Sequence, residues 1–259
     1  MEHIYLFKFD VLIQPMNKSK TVTPYGDGAS KKAQIEKMFD NVAWRYDILN
    51  RALSMGVDIA WRKKLIKQLK SYNPSHILDM ATGTADLAVM AARKIPGSHI
   101  TGIDLSTNMI KMGLKKVVKK DLKTQVTLKT GDSENIQHEN DTFDASMVAF
   151  GVRNFENLEL GLSELYRVSK PGAPLFILEF SKPTIFPIKQ LFNLYFNMIL
   201  PVIGKVFSKD QSAYRYLYES VQAFPDYGEM QKIMEGIGFK NCRWESLSFG
   251  ICCLYVGEK

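Results

Sequence analysis

Three short stretches place polar side chains where apolar runs stop, and a ligand can be met there. The first reads Leu78-Asp79-Met80-Ala81-Thr82-Gly83-Thr84-Ala85-Asp86. The small residues at 81–85 let a backbone loop pass close beneath a bound molecule. The second, Gly102-Ile103-Asp104-Leu105-Ser106, ends in a carboxylate that can accept both hydroxyls of a ribose, one oxygen to each. The other role open to Asp104, capping the next helix, is already within reach of Ser106 or Thr107. The third stretch is Thr130-Gly131-Asp132-Ser133. No G-x-G-x-x-G run is present, so binding of a dinucleotide pyrophosphate loses its main support.

These stretches must be held at the ends of strands. From about Ser75 the chain alternates strand-like runs (HILDM, HITGID, VTLKTGD, FDASMVAF, PLFILEF) with helix-like ones (DLAVMAARK, NMIKMGLKKVVKK, ELGLSELYRVSK). Strands separated by helices of this length imply right-handed crossovers and a parallel sheet with helices on both faces. The tail runs FKNCRWESLSFG and ICCLYVGEK read as an antiparallel hairpin on the sheet edge, giving a seven-stranded α/β fold. A helical region from about Lys31 to Leu69 and an aromatic-rich insertion from about Ser181 to Phe224 lie outside this core. The organisation expected is a poorly ordered extension over 1–30 and a single domain over 31–259, with a lid at about 181–224.

The 79–86 loop resembles the first motif of class I S-adenosylmethionine-dependent methyltransferases, with Ala85 where the second glycine usually stands. In that Rossmann-like fold the third strand end meets the adenine edge. Three successive strand ends with the expected polar residues imply S-adenosylmethionine as co-substrate. Asp79, Gly83, Thr84, Asp104, Leu105, Asp132 and Ser133 are then its candidate contacts.

The acceptor is read from the fourth strand end. Neither N-P-P-Y nor D-P-P-Y follows it, and no Pro-Cys nucleophile is present, so the sequence argues against nucleic acid as a partner. Instead the chain reads Phe150-Gly151-Val152-Arg153-Asn154-Phe155, which resembles the signature loop of the ubiquinone/menaquinone biosynthesis C-methyltransferase family. Arg167-Val168-Ser169-Lys170-Pro171-Gly172 and Leu178-Glu179-Phe180-Ser181-Lys182-Pro183 are similar to further motifs of that family. So are Tyr46-Asp47-Ile48-Leu49-Asn50 with Ser54 and Trp61, and Tyr214-Arg215-Tyr216-Leu217 with Glu219-Ser220 and Phe224-Pro225. The likeness runs from about Lys31 to the C-terminus. Two departures stand out: Asp58 replaces the family's usual histidine, and Ala173 replaces a glycine.

What the resemblance implies is C-methylation of a prenylated hydroquinone. The variant closest in kind is demethylmenaquinol to menaquinol, the last step of menaquinone biosynthesis. A benzoquinol of the ubiquinone pathway stays open, as does another small-molecule acceptor such as a sterol or an oxygen nucleophile. A quinone ring is electron-poor, so the acceptor must be reduced. Arg153 and Asn154 are the candidates beside it, with Arg153 stabilising the phenolate because a guanidinium does not give up its proton. The base stays open among Asp47, Asp58, Tyr46, Tyr214 and a water held by one of them. His3, His76, His99 and His138 all fall outside the expected pocket.

The bulk numbers bound the rest. A chain of 259 residues, 46% hydrophobic and 24% charged, suits a globular enzyme. Its net charge of +7 favours something anionic, with nucleic acid, a membrane surface and an acidic small molecule all in play. Lys115, Lys116, Lys119, Lys120 and Lys123 read as a solvated helix face and loop or as a membrane-facing patch. Cys242, Cys252 and Cys253 lack the spacing of a zinc site or a disulfide framework and suit a reducing cytoplasm. The first fifteen residues show no signal-peptide pattern. Nothing reaches the ~18 apolar residues of a membrane span; Leu191 to Ile203 is too short and contains Pro201. Phe186 to Phe207, aromatic and aliphatic nearly all round and bounded by lysines, reads either as a buried lid helix or as a wall for a prenyl tail at the inner face of the membrane. The assembly state, a homodimer included, is left open.

Overall fold

Each apolar run that ends in an acid becomes a strand of a single sheet. The structure is a computed structural model and describes residues 22–199 and 211–259. The strands are β1 (His76–Met80), β2 (His99–Asp104), β3 (Val126–Thr130), β4 (Ala145–Ala149), β5 (Pro174–Phe180), β6 (Lys240–Leu247) and β7 (Cys252–Glu258). They lie in the order β3-β2-β1-β4-β5-β7-β6, with β1 to β5 parallel and β7 antiparallel to both its neighbours. The chain winds outward from β1 toward β3 and then restarts at β4. The carboxyl ends of β1 and β4 therefore flank the crevice where such sheets bind ligands.

Alternation along the strands divides the core into two layers. Ile77, Met147, Phe176 and Cys252 pack with Leu65, Leu69 and Ala88 on one face. Leu78, Val148, Ile177 and Cys253 pack with Leu162, Leu165 and Met230 on the other. The adjacent cysteines thus point to opposite faces, as a strand demands. The first layer comes from α3 (Val57–Lys70), α4 (Asp86–Lys94) and α5 (Thr107–Lys119), the second from α6 (Leu158–Val168) and α9 (Gly228–Ile237). Helix α9 fills a stretch for which the sequence reading gave no element.

Helices α1 (Lys31–Val42) and α2 (Tyr46–Leu53) precede this core, and α7 (Ile188–Leu194) and α8 (Gln211–Ala223) form the insertion after β5. The expected extension starts to pack before residue 31. Val22 and Tyr25 lie against Ile35, Met38 and Tyr216. Buried Gln34 accepts the Tyr25 and Gly26 N–H groups at 2.8 and 3.0 Å and donates to the Ala29 carbonyl at 2.8 Å. A single buried amide organises a segment too polar to show any periodicity. The first fifteen residues, and residues 200–210 of the insertion with Pro201, Lys205 and Lys209, lie outside the described residues. No helix among the described residues is long and apolar enough to cross a membrane.

Candidate active site

The turn after β1 is wound tightly because its residues are small. Ala81, Gly83 and Ala85 all adopt positive φ, at 55°, 57° and 64°. Ala85 bears a left-handed conformation that glycine would take freely. The turn is fixed by Thr82, whose N–H meets the Ile103 carbonyl at 3.0 Å and whose hydroxyl donates to Asp79 at 2.5 Å. Burial pushes the Asp79 carboxyl up to about 7. At the end of β2, Asp104 accepts the Gly83 N–H at 2.7 Å and the Ser106 N–H at 2.9 Å, one on each oxygen. A carboxylate has about four lone-pair positions, so two remain for a diol. Burial raises Asp104 to about 6. The helix-capping role belongs to Ser106, which accepts the Met109 N–H at 3.1 Å.

Above these strand ends lies a cleft enclosing about 690 Å³, lined among others by Gly83, Asp104, Leu105, Asp132 and Ser133. Glu36, Glu134 and Glu156 add to its carboxylates, and Lys32 is the one basic residue among its described lining residues. Such a lining suits a ligand with cationic groups, a ribose diol and an amine edge, and S-adenosylmethionine has all three. Space is set by Gly151: a Cβ there would come within 2.4 Å of the Ala81 Cβ. Helix α1 closes the mouth, with Lys32 Nζ 2.6 Å from Asp132 and 3.3 Å from Glu134.

A second cavity of about 870 Å³ adjoins it, and Phe39, Tyr46 and Phe150 line both. The other walls of this cavity are mainly apolar, from Met38, Val42, Phe180, Tyr214, Tyr216 and Leu217, with Arg153, Asp58 and Arg62 as its charged members. Arg153 and Asn154 sit in a 3₁₀ turn (Val152–Asn154) after β4. The Arg153 guanidinium donates to the Phe150 carbonyl at 2.6 Å and to Glu179 at 2.7 Å, and Glu179 is wholly buried at the end of β5. Arg153 Nε, also buried, has no partner among the described residues. Asn154 lines the first cavity, and its carbonyl oxygen accepts the Tyr216 hydroxyl at 3.1 Å. Lys31 of α1 donates to the Arg153 and Phe155 carbonyls at 3.1 and 2.7 Å and so pins the turn.

The structure thus brings Arg153, Asp58, Tyr46 and Tyr214 to one cavity and Asn154, Gly83, Asp104, Leu105, Asp132 and Ser133 to the other. Asp79, Thr84 and Asp47 line neither. Asp79 lies beneath the turn, and the Thr84 hydroxyl donates to Asp47. Asp47 also pairs with Lys116 at 2.8 Å, so it ties α2 to the turn and to α5. Lys116, Asp86, Arg51 and Asp58 continue this chain of charges, with Arg51 bridging to Asp86 at 2.7 Å. Burial raises the Tyr46 hydroxyl above its ordinary value, which makes it a poor proton acceptor. None of His76, His99 and His138 lines either cavity.

Sequence reasoning assigned no role to Lys31, Lys32, Glu36, Arg62 or Glu179. Glu179 alone left a trace, as an acid inside an otherwise apolar strand.

Known proteins resemble the chain over most of its length. A demethylmenaquinone methyltransferase of Bacteroides fragilis is 42% identical over 238 residues, covering 92% of this chain and 97% of that one. A ubiquinone/menaquinone biosynthesis C-methyltransferase of Geotalea daltonii is 44% identical over 230 residues, covering 88% and 97%. Among solved structures, a SAM-dependent methyltransferase from Aquifex aeolicus superposes with a TM-score of 0.53 at 20% identity, covering 76% of this chain and 88% of that one. With residues 28–259 matching its family pattern, the chain belongs to the ubiE/COQ5 methyltransferase family.

Proposed function

We propose that the enzyme methylates a ring carbon of a prenylated hydroquinone, with demethylmenaquinol converted to menaquinol as the last step of menaquinone biosynthesis. The observation that carries this reading is the pair of adjoining cavities: one rich in carboxylates, the other apolar with a buried guanidinium, sharing the wall of Phe39, Tyr46 and Phe150. S-Adenosylmethionine supplies a sulfonium methyl, which the ring carbon takes as the carbon–sulfur bond breaks. That carbon then loses its hydrogen as a proton and the ring is aromatic again.

The chain's own residues position and stabilise. Asp104 would hold the ribose hydroxyls, and Asp132 and Ser133 the adenine edge. Arg153, fixed by Glu179, faces a phenolic oxygen and favours its ionised form, so the proton can pass to water without a dedicated side-chain base. Asn154 has its oxygen engaged by Tyr216, which leaves its amide hydrogens to donate toward the reacting groups. The shared aromatic wall excludes water from the contact between the two reactants.

The prenyl tail has a route. Phe192 and Phe196 pack against Tyr214 and Val221, behind the acceptor cavity. The same segment exposes Phe186, Leu191, Leu194 and Met198, with Lys189 also exposed. An apolar face bounded by lysine fits peripheral contact with an anionic membrane on the cytoplasmic side. The test is assay of the enzyme with reduced demethylmenaquinol in detergent. Menaquinol formed one-for-one with S-adenosylhomocysteine supports the reading, and an O-methyl ether product overturns it.

A further inference from the structure

Two of the three charged groups that line the acceptor cavity are of opposite hydrogen-bonding character. One is Arg153, a donor only, with its side chain 8% exposed and Nε without a partner among the described residues. The other is Asp58, an acceptor only, with its side chain 5% exposed. Its Oδ1 takes the Ser54 hydroxyl at 2.7 Å, and its Oδ2 takes Arg51 and, at 3.4 Å, Arg62. Three donors among the described residues, against about four lone-pair positions, leave one acceptor site open, on Oδ1. The Arg62 guanidinium lies over the Phe150 ring at 5.2 Å and the Arg153 guanidinium over Phe180 at 5.6 Å. The two rings touch at a centroid distance of 4.8 Å.

We propose that Asp58 selects the redox state of the acceptor by accepting the O–H of the ring oxygen remote from Arg153. The proposal rests on the C-methylation reading and adds a residue that discriminates. A hydroquinone monoanion presents one O⁻ and one O–H at opposite ring positions, matching the guanidinium and the carboxylate. A quinone presents two carbonyl oxygens. One of them would suit Arg153, while the other would face a carboxylate with no hydrogen between them, a buried clash of acceptors. Asp58 transfers no proton in this role. It holds a hydroxyl that stays protonated, so it is a recognition residue and not the base. Arg51, Arg62 and Ser54 keep the carboxylate in place and its charge balanced.

The experiment is anaerobic calorimetry of the full chain with S-adenosylhomocysteine bound, titrated with a single-isoprene demethylmenaquinol and separately with the matching quinone. The wild type should bind the reduced form at least about tenfold more tightly. Asp58→Asn, whose amide can donate to a carbonyl, should bring the two affinities to within about threefold. Asp58→Glu should keep the preference. Unchanged S-adenosylhomocysteine affinity shows that each variant is folded. Equal affinities in the wild type overturn the proposal without any variant, and so does an unchanged ratio in Asp58→Asn. Quinol that is methylated while both redox states bind equally defeats this inference alone. Absence of any methylated quinol defeats the acceptor reading beneath it.

Discussion

The Arg153 guanidinium lies 2.7 Å from the Glu179 carboxylate, and both are sealed from solvent where β4 and β5 end. Burial raises the Glu179 carboxyl even with Arg153 beside it, so each charge depends on the other. Breaking such a pair by removing one partner costs more than the pair itself contributes, because a buried charge is left alone. Glu179→Gln should therefore destabilise the protein by on the order of 3 kcal/mol. Thermal unfolding with and without cofactor measures this. An unchanged melting temperature would mean that Arg153 finds another partner.

Arg153 itself should matter to turnover far more than to cofactor affinity, because it lines the acceptor cavity and not the cofactor cleft. Loss of one preorganised oxyanion donor costs roughly 10²–10³ in kcat. Arg153→Ala should show a fall of that order, with S-adenosylhomocysteine binding within about threefold of wild type. Equal losses in both would remove Arg153 from the acceptor site.

Asp104 sets a pH dependence for cofactor binding. Burial holds its carboxyl at about 6 in the free protein, while a ribose diol needs the ionised form. Affinity should be flat above about pH 7 and weaken below 6, approaching tenfold per pH unit. Asp104→Asn should bind weakly at every pH. The sign for stability is opposite. A carboxyl raised on folding contributes stability that is present below its ordinary value near 4 and lost as pH rises through 6. The cofactor-free protein should therefore lose this contribution between pH 4 and 7, a loss that Asp104→Asn abolishes.

Gly151 tests the packing of the cofactor turn. Its backbone is unstrained, so the effect of Gly151→Ala is purely spatial: the new methyl meets the Ala81 Cβ at 2.4 Å. Overpacking of this kind costs about 1–3 kcal/mol. Most of it should appear as weaker S-adenosylhomocysteine binding, because the Ala81–Ala85 turn is what must move. A variant with normal cofactor affinity would show that the turn is not held from this side.

The residues that proved legible in the sequence are those whose role is local. Asp104 and Asp132 were readable because each closes a run of strand length, and both line the cleft above the strand ends. Arg153 and Asn154 were readable from a motif in one loop. What stayed hidden depends on pairing across the chain. Nothing local to Thr84 announces that its hydroxyl donates to Asp47, 37 residues earlier. Lys32 reaches Asp132 across 100 residues, and no local pattern announces it. The packing of residues 22–30 against α1 turns on Gln34, a polar residue that hydrophobic periodicity ignores. Helix α9 was missed because Gly228 and Gly236 interrupt its pattern, although Met230 and Met234 hold one face in the core.

The tail route also has a measurable consequence. With the exposed face of α7 serving membrane and tail, a quinol lacking its prenyl chain should have a much higher KM at similar kcat. Phe186→Asp together with Leu191→Asp should reduce activity on vesicle-borne acceptor more than on acceptor in detergent. Comparable losses in both settings would assign these side chains to the fold instead.

The most direct test of quinol C-methylation is transfer from methyl-labelled S-adenosylmethionine to two acceptors side by side, reduced prenylated demethylmenaquinol and the reduced benzoquinol of the ubiquinone pathway. Label should enter a ring carbon of the naphthoquinol and give menaquinol as the main product. No label in either acceptor, from an enzyme that still binds S-adenosylhomocysteine, would leave the methyltransferase fold intact and contradict the quinol assignment.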